Sequence, residues 1–487
     1  MGVNGTRGMK DLSSRAIQIS WVVLACVVLA AGSAEAFDVT VVAGGSSTNG
    51  SFVSGVWTPT GISNLTFADL NTQLGLGDAG ITTNGAGTLT IQPTFTYSSA
   101  SNRQLTLTAS GDVSISGIAL GGGAGKLSIV VNASGTVTVA SSGVAIGGGS
   151  FTASGTTATI QGIGLNTAGS SGAGNVQLVF SGVVTITNGG VVTGGGSVTA
   201  SGSDLSILGN GVNTGGSSGG GSVQLSFSGT VGITSGGVVT GGGSFSASGS
   251  DLTIQGIGVN TSSASGGGNV HLGFSGVVLI DNGGVTTGGG SFTASGASGT
   301  IQGTGVNTSG SSGGGNVQLG FSGPVVITNA GVVTGGGSFT SRGSTFSVDQ
   351  TGVNTTGGSG GGDLLLDHMG DVTIAQGGLT TGGGNIRILS RGTIVFVVLG
   401  NVASGGGSIY VQAETAITVD GHVSSLPGSG GVLTVVGPVA LNTAPNVGAG
   451  DISFIIGGLA VPALTAWGLL ALVALIGLAA LLCLRGA

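Results

Sequence analysis

The chain has 487 residues, 109 of them glycine, with 5% charged residues and a formal net charge of −7. Glycine without a G-x-y period excludes collagen, and 39% apolar content at so low a charge excludes a disordered polar chain. No Lys or Arg occurs between Lys126 and Arg342, so no basic face is available to neutralise nucleic-acid phosphates.

In chain order, residues 1–36 read as a signal peptide. Arg7, Lys10 and Arg15 precede a mostly apolar run over residues 16–31. Ala34-Glu35-Ala36 then forms a small-x-small site, with cleavage expected before Phe37. The rival is an uncleaved membrane anchor. A lipoprotein reading on Cys26 fails because Leu24 stands one place late and the apolar run continues past the cysteine. Both cysteines, Cys26 and Cys483, lie in hydrophobic ends, so no disulfide is expected in the exported body. Residues 37–120 are expected to hold an N-terminal cap and the first coils. Within them DLNTQLGLG, residues 69–77, reads as a helical turn leading into the first coil and covering the open end.

Residues 121–455 follow a unit of 47 residues, marked by glycine triplets at Gly147, Gly194, Gly241, Gly288, Gly335 and Gly382. A second cluster at Gly172, Gly219, Gly266, Gly313 and Gly360 splits each unit into 25 and 22 residues. Each half holds short runs of Val, Ile, Thr and Phe between Gly, Asn and Ser, and shows no helical period. In NVQLVFSG, Val176, Leu178 and Phe180 alternate with Gln177 and Val179, as in a strand with one buried face. One half cannot bury that face alone, but stacked halves can. The expectation is an all-β, right-handed parallel β-helix of about 17 coils, a rod on the order of 80 Å long by strand spacing.

Inward columns are expected at Phe151, Val198, Phe245, Phe292, Phe339 and Ile386, and at Phe180, Phe227, Phe274, Phe321 and His368. Further columns run Val176, Val223, Val270, Val317 and Leu364, and Leu178, Leu225, Leu272, Leu319 and Leu366. Asn166, Asn213, Asn260, Asn307 and Asn354 recur at a corner, where Asn tolerates a left-handed backbone and can bond its own turn. After Gly382 the strict unit decays, but Gly405 and Gly428 keep a 23-residue step. There GGGNIRILSRG aligns with GGGSIYVQAET, setting Arg387 over Tyr410 and Arg391 over Glu414, both pairs outward.

Residues 456–487 change character. From 464 to 484 the chain is apolar apart from Thr465, long enough for a transmembrane helix, and Arg485 favours a cytoplasmic C-terminus. Val461-Pro462-Ala463-Leu464-Thr465-Ala466-Trp467-Gly468 resembles the IPTLxxWG pattern of the IPTL-CTERM sorting domain. Pro462, Leu464, Trp467 and Gly468 match, while Val461 and Ala463 replace Ile and Thr. That resemblance implies a Gram-negative bacterium and an exosortase-type membrane processing enzyme as partner. The body is similar to the β-strand-repeat surface proteins of the filamentous haemagglutinin and adhesin type. An NPNG-like signature and a C-terminal autotransporter barrel are missing, so neither of those export routes is supported.

Some β-helix proteins are polysaccharide lyases or hydrolases, whose chemistry wants carboxylates converging on a groove. Asp204, Asp251 and Asp281 read instead as solvated turn residues, and His271 as a surface residue in a glutamine's place. No aspartate ladder suits calcium, and threonines recur only in alternate coils, which does not suit ice binding. The densest ionisable stretch is Asp363-Leu364-Leu365-Leu366-Asp367-His368-Met369-Gly370-Asp371, near Arg387 and Arg391. His368 falls in an inward column, Asp363 in the turn place of Asn175, Asn269 and Asn316, and only Asp367 and Asp371 remain as a pair. The expectation is an exported cell-surface structural or adhesion-type protein without catalytic residues, cofactor or metal. It would pass through an inner-membrane-anchored intermediate to the cell surface or medium. Its partner would be an extracellular polysaccharide, a host or cell surface, or another copy. The runner-up is a β-helix carbohydrate-active enzyme.

Overall fold

Apolar residues at every second position leave each segment with one oily edge that only a neighbouring coil can cover. In the computed structural model the chain winds into an all-β parallel solenoid of about 16 turns with one short helix. The structure describes residues 35–456 and 459–460, apart from Ser171, Ser218, Ala330, Ser359 and residues 398–399, 425–431 and 442–451. The signal residues up to Ala34, the sorting-motif residues Val461, Pro462, Ala463, Leu464, Trp467 and Gly468, and the apolar run 464–484 lie outside the described residues.

Like stacks on like. Phe151 pairs with Val176, Val176 with Val198, Val198 with Val223 and Val223 with Phe245. The column continues through Val270, Phe292, Val317, Phe339, Leu364 and Ile386, and every member is buried. The 47-residue unit is therefore two coils, as its two glycine clusters imply. Each coil has three strands, such as Phe151–Gly155, Thr157–Ile160 and Leu165–Asn166. In the second inward column each phenylalanine stacks on a glycine of the coil before it: Gly155 under Phe180, Gly202 under Phe227, Gly249 under Phe274 and Gly296 under Phe321. The missing side chain makes room for the ring. Past Gly382, Ile386 pairs with Ile409 and keeps the 23-residue step.

The N-terminal end is closed by strands β1 (Val39–Val42), β2 (Thr48–Val53) and β3 (Val56–Thr66), helix α1 (Phe67–Leu76) and strand β4 (Ala79–Thr82). β3 pairs in parallel with β4 at one end and with β1 at the other, and β2 runs antiparallel along it. An open parallel edge would recruit other strands, and the hairpin blocks that. Thr66 caps α1, its Oγ1 accepting from the Asp69 N–H at 3.1 Å, and the helix buries Leu70 and Leu74. Trp57 Nε1 donates to Ser63 Oγ at 2.9 Å, and its ring meets Phe52 edge-on at 5.3 Å. The helical turn expected over 69–77 is present but begins at Phe67 and lies inside the cap. It leads straight into β4, which stacks in parallel on residues 105–108, while β1 folds in between β3 and residues 89–91. This fold-back uses chain that the estimate of 17 coils assigned to winding.

Asn166, Asn213, Asn260, Asn307 and Asn354 bond their own turns, each Oδ1 accepting from the N–H two residues on at 2.8–3.0 Å. Their backbone is not left-handed, since each ends a short strand. Within the described repeats the left-handed asparagines are Asn188, Asn282 and Asn329, at a different corner.

A buried hydroxyl ladder, not anticipated from the sequence, also runs from coil to coil. Thr167, Thr193, Thr214, Thr240, Thr261, Thr287, Thr308, Thr334, Thr355, Thr381 and Ser404 occupy successive coils and are essentially solvent-free. In the long-loop coils the hydroxyl donates to a glycine carbonyl seven residues on, as from Thr167 to Gly174 (2.6 Å) and Thr261 to Gly268 (2.5 Å). In the tight-turn coils the acceptor is three residues on, as from Thr287 to Gly290. Gly268 N–H also donates back to the Thr261 carbonyl at 3.0 Å, so one threonine clamps both ends of its loop. Thr261→Val should therefore cost about 1–3 kcal/mol, because a buried acceptor loses its partner without a change of shape. Hydrogen exchange over residues 261–268 measures it; unchanged protection would reject the clamp.

Candidate functional site

The first strand of each coil presents two outward columns. Over most of the body these are uncharged: Thr152, Gln177, Thr199, Gln224, Ser246, His271, Thr293, Gln318 and Thr340 succeed one another in the first. His271 is exposed in a glutamine's place, as expected. From Arg342 the chemistry changes. The first column continues Leu365, Arg387, Tyr410, and the second Arg342, Asp367, Leu389, Gln412. Three of the five Lys and Arg residues between 37 and 460, Arg342, Arg387 and Arg391, lie in this region.

Register determines the contacts. Arg387 stacks over Tyr410 as expected, its guanidinium carbon 5.4 Å from the ring centroid, a contact worth about 0.5–1 kcal/mol when exposed. The Tyr410 hydroxyl donates to Gln412 Oε1 at 2.9 Å, which fixes the ring from its other end. Glu414 N–H donates to the Ser390 carbonyl at 3.2 Å, so the coils carrying Arg391 and Glu414 are adjacent as aligned. Their side chains, however, form no ion pair within 4.0 Å. The ion pair of this face joins Asp367 to Arg342 of the preceding coil at 3.5 Å, with both side chains about half exposed. Such a pair contributes about 0–1 kcal/mol.

His368 points inward behind this face, 1% exposed, in the phenylalanine column as expected. Its Nε2 lies 3.2 Å from Ser341 Oγ, its ring 5.3 Å from Phe346, and its Nδ1 has no partner. Burial pushes its pKa down to about 4, against the pull of the Asp367 carboxylate and the nearby Gly343 backbone, so the ring is neutral at pH 7.

Four other aspartates, Asp204, Asp251, Asp363 and Asp371, are corner brackets. Asp363 Oδ1 accepts from Asn385 N–H and Asp371 Oδ1 from Thr393 N–H, both at 2.8 Å. Asn175, Asn269 and Asn316 do the same for Ser197, Ser291 and Ser338 at 2.8 Å. Asp204 accepts from Thr230 N–H at 2.8 Å and Asp251 from Val277 N–H at 2.7 Å. The backbone bond from Thr230, with hydroxyl bonds from Ser203 and Thr230, lowers the Asp204 pKa. These acids tie one coil to the next rather than merely facing solvent. Asp281 receives Gln255 Nε2 at 3.3 Å. Among the described residues no three His, Cys, Asp or Glu side chains gather in a group suited to a metal ion.

Of the expected cleavage residues, Ala34 lies outside the described residues, whereas Ala36 and Phe37 lie within them. Phe37 N–H donates to the Asn84 carbonyl at 2.9 Å, so the chain enters the cap at that residue. Among the described residues no helix is long and apolar enough to cross a membrane. Comparison of the chain with protein-family models, curated proteins and solved structures finds no match.

Proposed function

We propose that this chain is an exported cell-surface rod of structural or adhesion type. In this reading residues 1–36 are a signal peptide and 464–484 a transmembrane helix. The motif Val461, Pro462, Ala463, Leu464, Trp467 and Gly468 hands the chain to an exosortase-type membrane enzyme, and the coil is right-handed. The observation that carries the reading is the outer surface: long columns of Thr, Ser and Gln, with Asp204, Asp251, Asp363 and Asp371 engaged as backbone brackets. Such a surface can space, coat or bind over many coils, and needs no catalytic group. The chain resides first in the inner membrane and then at the surface or in the medium.

The test is fractionation of the full chain in a Gram-negative host carrying an exosortase-type enzyme. Pro462→Ala with Trp467→Ala should retain the protein in the inner membrane. Unchanged display or release would reject the sorting role, and a parent chain found in the cytoplasm would reject export itself. Incubation with acidic and neutral polysaccharides tests the carbohydrate-active alternative, and no cleavage is expected. Cleavage abolished by Asp367→Asn or Asp371→Asn would replace the structural reading with it.

A further inference from the structure

We propose that the face carrying Arg342, Asp367, Arg387, Leu389, Tyr410 and Gln412 binds a carboxylate-bearing polysaccharide, a polymer of uronic acid type. The inference deepens the surface-rod reading and rests on it for its setting.

Composition sets this face apart from the rest of the body. The body is nearly free of cations, and no Lys or Arg lies between Lys126 and Arg342. Arg342 and Arg387 then appear on one sheet face, separated by the coil that carries Leu365 and Asp367. Two coil steps place their strands about 10 Å apart. A rod whose other outward columns are uncharged gains no stability from this concentration, since the one ion pair in it is half exposed.

The geometry suits a sugar acid. Tyr410 is the body's one tyrosine outside the core, and its ring is held from two sides, by Arg387 at 5.4 Å and by the bond to Gln412. A ring fixed before the ligand arrives loses little freedom on binding. It offers an apolar surface on which the C–H face of a pyranose can lie. The guanidinium groups present paired N–H donors that match a carboxylate in a way that lysine does not. Asp367 accepts from sugar hydroxyls, and Gln412 both donates and accepts. The two outward columns run along the rod, so a linear polymer lying along them meets Arg342, Asp367, Arg387 and Tyr410 in successive coils. Asp363 and Asp371 do not oppose it, because both carboxylates sit at corners on backbone N–H groups. A nucleic acid would need many more cations than this face holds.

The test uses the full chain in detergent with polygalacturonate as probe, and the same polymer after reduction of its carboxyl groups. Expected are binding to the first, loss of binding to the second, and weakening as salt rises. Arg342→Gln with Arg387→Gln, and separately Tyr410→Ala, should each weaken binding by about tenfold or more, with circular dichroism unchanged. His271→Ala, on the same face several coils away, should change nothing. No binding of polygalacturonate, equal binding of the reduced polymer, or full affinity in the double arginine variant overturns the proposal. A protein or neutral glycan captured through this face instead would also overturn it. Failure here leaves the fractionation result standing, and failure of export leaves this binding measurable, so the two readings fall separately.

Discussion

Replacing Gly267 by alanine is expected to open two adjacent coils, because a Cβ at that position would stand 1.4 Å from the carbonyl oxygen of Thr287. Thr287 belongs to the tight turn of the next coil, and its backbone has nowhere to go. Its N–H donates to the Asn307 carbonyl at 2.9 Å, and its hydroxyl is bonded to Gly290 inside the core. The obstacle is main chain rather than the end of a flexible side chain, so the strain cannot be relieved by a rotamer change. Gly220 and Gly314 repeat the same approach, to Thr240 at 1.4 Å and Thr334 at 1.5 Å, so it is a property of the unit. A cost of about 2–4 kcal/mol is expected. In a solenoid each coil contacts only its neighbours, so the loss stays local. Hydrogen exchange of Gly267→Ala in the full chain should show lost protection over residues 261–268 and 287–290, with distant repeats unaffected. Gly320→Ala is the control: its Cβ would meet nothing within 4 Å, and a change within about 0.5 kcal/mol is expected. Equal protection in the two variants would show that the loop does not pack as described.

The stacking was legible because identical residues recur every 47 positions and alternate within strands, so parity alone places Phe245 or Leu272 inside. The Arg387–Tyr410 contact was legible for the same reason, since register follows from aligned glycine triplets. Its neighbour was not. Arg391 and Glu414 stack in adjacent coils, but two long exposed side chains gain too little from pairing to be held together. The threonine ladder was hidden by its own polarity. Thr261 looks like a surface residue until the loop it clamps is seen, although its recurrence in every coil, just before each glycine loop, was a usable signal. The aspartate brackets were hidden because their partners lie a whole coil away: 26 residues separate Asp204 from Thr230, and 22 separate Asp371 from Thr393. Nothing local to either residue reports the other. A cap was expected over residues 37–120, but its strand order was not legible, because β1 lies between β3 and residues 89–91, out of chain order, and no repeat signals that.

The largest pH effect is expected from His368. In the repeats before it, the position holds Phe180, Phe227, Phe274 and Phe321, and the position of Ser341 holds Ala153, Ala200, Ala247 and Ala294. The histidine and the serine thus enter the core together, and they meet at 3.2 Å. Phe346, where the earlier repeats hold Ala158, Leu205, Leu252 and Gly299, meets the histidine ring at 5.3 Å. Burial lowers the His368 pKa from the ordinary 6.5 to about 4. A lowered folded-state value means that the unfolded chain takes up the proton more readily. Stability from the neutral ring is therefore complete above the unfolded value and is lost as pH falls from 6.5 through about 4. The loss amounts to about 3 kcal/mol by the free energy of a pKa shift. Asp204, whose pKa is lowered, also loses stability in acid, but only below its ordinary 3.8, so the upper part of the window belongs to the histidine. The triple variant Ser341→Ala, Phe346→Leu, His368→Phe rebuilds the core of the coils that carry Ala200, Leu205 and Phe227. Hydrogen exchange over Leu364–His368 should weaken in the parent chain as pH falls through this window, after correction for the intrinsic rate. It should stay level in the triple variant. A parent chain whose protection is flat between about pH 7 and pH 4.5 would show that His368 is not neutral and buried as the structure places it.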